Sequence, residues 1–108
     1  MKLVLSMTCL LLAMPGIRIF AAGNADAGKA VFTASCKTCH GVQGEGNPAI
    51  AKALKVTIPV LSGKEVQAKS DDDLKKIVAE GSGKMKPVPG LSSKQVVDVV
   101  AFVRTLAK

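Results

Sequence analysis

The chain has 108 residues, 15 basic against 8 acidic side chains and a formal net charge of +7, which leaves room for one domain at most. With no Trp, no Tyr and three Phe, it lacks the dense Arg-rich stripe interleaved with aromatics that a nucleic-acid binder of this size uses. The same scarcity of aromatics, and a count of three Cys, leave little material for a large core or a disulfide framework.

The chain opens with Lys2 and an apolar run from Leu3 to Met14. That run has the length of a signal h-region and falls short of the ~20 residues a membrane-spanning helix needs. Pro15 and Gly16 break it, and Arg18 interrupts its continuation. Ala21 and Ala22 suit the positions just before a cut, so residues 1–22 are expected to be a cleavable secretory signal and residues 23–108 the functional domain. Gly23-Asn24-Ala25 offers a second small-x-small pattern, and retention of the segment as an anchor is the alternative. Cys9 lacks the small-residue context of a lipidated cysteine. Residues 23–108 keep 13 basic and 8 acidic side chains, two Cys, one His and one Met.

The elements that follow read as helices, with no convincing strand pattern or repeat. Asn24 or Asp26 caps a first short helix through Ser35, with Gly28, Val31 and Phe32 along one face. Cys36 to His40 come directly after it. Gly41, Gly44 and Gly46 make a turn, and Asn47-Pro48 supplies the cap and first-turn proline of a helix through Leu54. Residues 55–69 read mostly as loop. Ser70 caps a helix with Asp71, Asp72 and Asp73 in its first turn, where the helix dipole favours negative charge, and Gly81 ends it. Leu74, Ile77 and Val78 form its apolar stripe. Ser82 to Leu91, rich in Gly, Lys and Pro, is irregular. Ser92 with Gln95 makes a capping box for a last helix to about Ala107, whose buried side is Val96, Val99, Val100, Val103 and Leu106.

The chemistry sits in Cys36-Lys37-Thr38-Cys39-His40. Cys-x-x-Cys-His is the attachment signal for c-type haem: the two sulfurs reach one edge of a porphyrin as thioethers and the histidine falls beneath the iron. A structural zinc site would need four protein ligands, and only three Cys/His candidates remain after residue 22. A thioredoxin-like dithiol would sit in a βαβ pattern, and a plain disulfide would leave His40 unexplained. One covalently attached haem also supplies the apolar centre that a chain with only Phe32 and Phe102 in this region cannot build alone. With His40 as one axial ligand and no second His, the other position falls to Met85, to a lysine, or stays empty. Met85 sits in a Gly/Pro loop outside any apolar periodicity, and it is the expected ligand. Lys84 or Lys86 could displace it at high pH.

These residues carry a resemblance. Gly28 with Phe32, Cys36-x-x-Cys39-His40, Pro48, Gly81-x-Gly-Lys-Met-x-Pro87 and Phe102 near the end of the last helix are similar, in type and order, to the motifs of the class I c-type cytochromes. The resemblance implies an all-α, cytochrome c-like fold of three to five short helices wrapped around one haem. It implies that the first and last helices cross at Gly28, beside Phe32, Val99 and Phe102. It also implies that the Pro48 carbonyl accepts a hydrogen bond from the non-ligating nitrogen of His40. The Trp or Tyr that many members place near the haem or its propionates is absent.

A His40/Met85 site saturates the iron and suits electron transfer better than turnover of an outside substrate. The expectation is a periplasmic one-electron carrier, not an enzyme, that docks acidic redox partners through Lys37, Lys52, Lys55, Lys84 and Lys86. Two alternatives stay open: a gas or redox sensor or peroxidase-like protein in which Met85 leaves the iron, and a fixed electron-entry subunit of a larger complex.

Overall fold

The computed structural model describes residues 23–108, and the expected signal, residues 1–22, lies outside them. Six helices follow in order: α1 (Ala25–Ser35), α2 (Lys37–His40), α3 (Pro48–Leu54), α4 (Lys64–Gln67), α5 (Asp71–Glu80) and α6 (Ser93–Thr105). Six rather than three to five form because α2 and α4 are single turns of four residues. Among the described residues there is no strand, only an isolated bridge between Ser82 and Met85.

Local chemistry accounts for each boundary. Of the two candidate caps of α1, Asn24 is the one used, its side chain accepting from the Ala27 amide at 3.0 Å. Asn47 caps α3 by accepting from the Ala49 and Ile50 amides at 3.0 and 3.4 Å, with Pro48 in the first turn. Ser70 accepts from the Asp73 amide at 3.1 Å to start α5. Ser92 and Gln95 close a reciprocal capping box on α6, at 3.1 and 2.9 Å. This last helix ends at Thr105, two residues before the expected Ala107, where the Leu106 amide turns back to the Val103 carbonyl. Helix α4 arises inside the expected 55–69 loop. Its cap is Gly63 with no side-chain bond, and Val66 is the residue it buries.

The core forms where α1 crosses α6. Phe32 and Val99, 2% and 1% exposed, are its most buried side chains, and the Phe32 and Phe102 rings pack tilted with centroids 5.1 Å apart. Gly28 permits the crossing: a Cβ there would overlap the backbone of Asp98. Leu61, Val66, Leu74 and Val100 complete the buried cluster, and Val78 of α5 packs against it. A polar network closes the far side. Arg104 pairs with Asp71 at 2.8 Å and donates to the Gln67 and Lys69 carbonyls, while Gln67 Nε2 donates to the Leu61 and Val103 carbonyls. That network ties α4 and the start of α5 to the end of α6.

Candidate cofactor site

The end of α1 and the single turn α2 place three of the predicted site residues together. Cys36 is the hinge between them, its amide donating to the Phe32 carbonyl at 2.8 Å and its carbonyl accepting from the His40 amide at 3.0 Å. Both thiols are free, Cys36 half-buried and Cys39 exposed. Burial, and secondarily the charge of Cys39, push the Cys36 thiol above its usual value. Burial lowers the His40 imidazole below its own, which favours the neutral ring that a metal requires.

The glycine turn brings Pro48 alongside. Gly46 and Asn47 amides donate to the carbonyls of His40 and Cys39, at 2.6 and 2.9 Å, and the Asn47 side chain donates to the Thr38 carbonyl at 3.1 Å. Glu45 holds the turn from within, accepting the Gln43 amide at 2.8 Å. Its carboxyl sits below its usual value because backbone amides of residues 45, 43 and 42 bond to it. In the sequence, the one signal of this role is that Glu45 is a lone acid among three glycines. His40 Nδ1 is buried and has no hydrogen-bond partner, so the expected bond to the Pro48 carbonyl is not formed in this structure.

Met85 comes from a separate element, and no hydrogen bond joins it to the His40 ring. Its backbone is firmly held. Ser82 and Met85 exchange amide-to-carbonyl bonds at 2.8 and 2.9 Å across a two-residue turn whose first member, Gly83, has φ +57°. Gly81, at φ +82°, leaves no room for a Cβ beside the Met85 carbonyl and the Pro87 ring. The Val88 amide then docks on the Val78 carbonyl of α5 at 3.1 Å. The side chain of Met85 is half-buried.

Three features of the chain fit a haem. The first is the orphaned, buried Nδ1 of His40, a donor whose acceptor geometry is left unset until the ring is fixed from its other nitrogen. The second is the donor set: Cys36, Cys39 and His40 stand on one turn, and among the described residues no three His, Cys, Asp or Glu side chains gather closely enough to hold a bare metal ion. The third is uncovered apolar surface. Ile50, Ile58, Ile77, Met85 and Leu91 are half-buried yet stand outside the residues packed on the core, and Leu54 and Val60 are 45% and 49% exposed.

Comparison with known proteins agrees with this geometry. Residues 23–103 match the family model described as cytochrome C oxidase, cbb3-type, subunit III. Cytochrome c-554(547) of Halothiobacillus neapolitanus is 37% identical over 90 residues, which cover 79% of this chain and 99% of that protein. The solved structure of the KustC0563 c-type cytochrome superposes with a TM-score of 0.65 at 30% identity, covering 75% of this chain and 98% of that one. A Cys-x-x-Cys-His turn, an apolar surface in want of cover and relatives matched over nearly their full length converge on one family: the chain belongs to the cytochrome c oxidase, cbb3-type, subunit III family and is a class I c-type cytochrome, an electron carrier with haem c covalently bound.

Proposed function

We propose that this chain is a soluble periplasmic carrier shuttling single electrons between respiratory redox partners, with its haem bonded to Cys36 and Cys39 and the iron held by His40 and Met85. The carrying observation is the state of His40: Nδ1 is buried without a partner on the same turn as two free thiols. When bound, the haem supplies a one-electron couple between two iron oxidation states. The chain's own residues do the rest. His40 would hold the iron through its imidazole, and with a haem bound its Nδ1–H would take the Pro48 carbonyl as acceptor; Asn47, whose own amide donates to the Cys39 carbonyl, keeps Pro48 beside that turn. Met85 would hold the iron through its thioether, which would raise the potential relative to two imidazoles. The half-buried isoleucines and Leu91 would shield a bound haem from water.

Partner choice follows from the lysines. Among the described residues Lys75, Lys76, Lys94 and Arg104 are paired with acids. Lys37, Lys52, Lys55, Lys84 and Lys86 are all exposed and stand outside those pairs. Lys37 also lines, with Val42, a shallow groove of about 420 Å³ beside the Cys36–His40 turn. An acidic docking surface is the complement of that arrangement. Residues 1–22 serve as the export signal, and among the described residues no helix is long and apolar enough to cross a membrane.

Electron-transfer rates with an acidic redox protein test this reading. They should fall as ionic strength rises through about 0.1 M, where the Debye length is about 10 Å. Lys37→Glu and Lys84→Glu should lower the low-salt rate without altering the haem spectrum. Rates indifferent to salt and to both substitutions would exclude steered docking. A second reading draws on the family description, which names an oxidase subunit: the lysines would then form a permanent interface, and co-purification with a larger complex at high salt would select it.

A further inference from the structure

Gly23, the first residue after the expected cut, packs directly on α6: a Cβ there would overlap the Val97 carbonyl. One residue later the Asn24 amide donates to Asp98 Oδ1 at 2.8 Å. Asp98 is 3% exposed. Among the described residues its one side-chain cation is Lys94, 2.8 Å from Oδ2, whose own side chain is 74% exposed. A carboxylate offers about four acceptor sites, and a charge this buried is stable only when well partnered. The buried acid thus faces the start of the domain with acceptor capacity to spare.

We infer that processing between Ala22 and Gly23 completes this site: the α-ammonium released at Gly23 pairs with the Asp98 carboxylate, with the Val97 carbonyl as a second acceptor, and locks α1 onto α6. The inference rests on the export signal proposed above. In the cut, a peptidase of the export route adds water across the Ala22–Gly23 peptide bond, leaving a carboxylate on Ala22 and an ammonium on Gly23. The other charges nearby do not compete for Asp98. Among the described residues Asp26 and Lys29 of α1 are exposed and outside the ion pairs, and on α5 Asp71 pairs with Arg104, Asp72 with Lys75 and Glu80 with Lys76, while Asp73 is exposed.

Two measurements on the exported holoprotein test it. Its mass should correspond to a chain beginning at Gly23, and any other start overturns the inference. Thermal unfolding is then compared between holoproteins beginning at Gly23 and at Ala21, in the native sequence and in Asp98→Asn. Keeping Ala21-Ala22 should lower Tm by about 4 °C in the native sequence and by less than about 1 °C in Asp98→Asn. Equal losses in both backgrounds overturn the ion pair while leaving the cleavage reading intact. A partnered α-ammonium has a raised pKa, so the margin is present at neutral pH and fades as pH climbs through and above the usual range of about 8. A margin unchanged at pH of about 10 also counts against the pair.

Discussion

At Gly28 the absence of a side chain decides whether α1 and α6 can meet, because the space a methyl would need is taken by the Asp98 backbone. Gly28→Ala is therefore expected to lower the Tm of the holoprotein by about 10 °C or more, and a change of less than about 2 °C would mean the helices part without cost. Asp98 itself adds a pH dependence. The Lys94 side chain first, then the Asn24 amide, hold its carboxyl below the usual 3.8. A depressed carboxyl stabilises the fold above its ordinary pKa and loses that contribution as pH falls through the folded value, so acid titration of Tm should steepen below about pH 4. Asp98→Asn should flatten that limb and lower stability at neutral pH; an unchanged profile would remove Asp98 from the account. At this scale the single turn that gathers Cys36, Cys39 and His40 was legible in the sequence, because ligand chemistry restricts residue type and spacing. Asp98 was not, because it reads as one polar position on an amphipathic helix; its placement four residues after Lys94 was the available clue.

Among the elements, the four helices with a side-chain cap were readable, and α2 and α4, single turns without one, were not. Ser92 and Gln95 announce α6, and the reciprocal bonds are formed as their spacing requires. Ser92→Ala should cost about 1 kcal/mol, measurable by denaturant unfolding of the holoprotein; no loss would place the helix start elsewhere. Helix α4 escaped because a single turn has no periodicity, and what holds it is tertiary: Val66 in the core and Gln67 reaching the Leu61 and Val103 carbonyls. The Met85 loop is irregular, as its Gly, Lys and Pro content predicts. Its Ser82–Met85 turn and the contact of Gly81 with Met85 and Pro87 depend on positive-φ glycines whose partners the sequence alone does not specify.

At the scale of the molecule, seven buried apolar side chains form the core among the described residues. A cluster of that size is small against the chain entropy of a domain of this length. A bound haem would supply much of the missing apolar contact, so Cys36→Ala with Cys39→Ala should leave a chain with reduced helical circular dichroism and no cooperative thermal transition. A native-like melt from that variant would show that the polypeptide suffices. The crossing of first and last helices was foreseeable from the family resemblance, since Gly28, Phe32 and Phe102 mark it; the pairing of lysines was not, because ion pairs depend on where distant acids come to lie. The most direct test of the His40/Met85 site is the absorption spectrum of the oxidised holoprotein beside that of Met85→Ala. The native protein should show the weak long-wavelength band of sulfur ligation, and the variant should lose it while keeping the covalently attached haem. A band that survives the substitution would contradict the assignment of Met85.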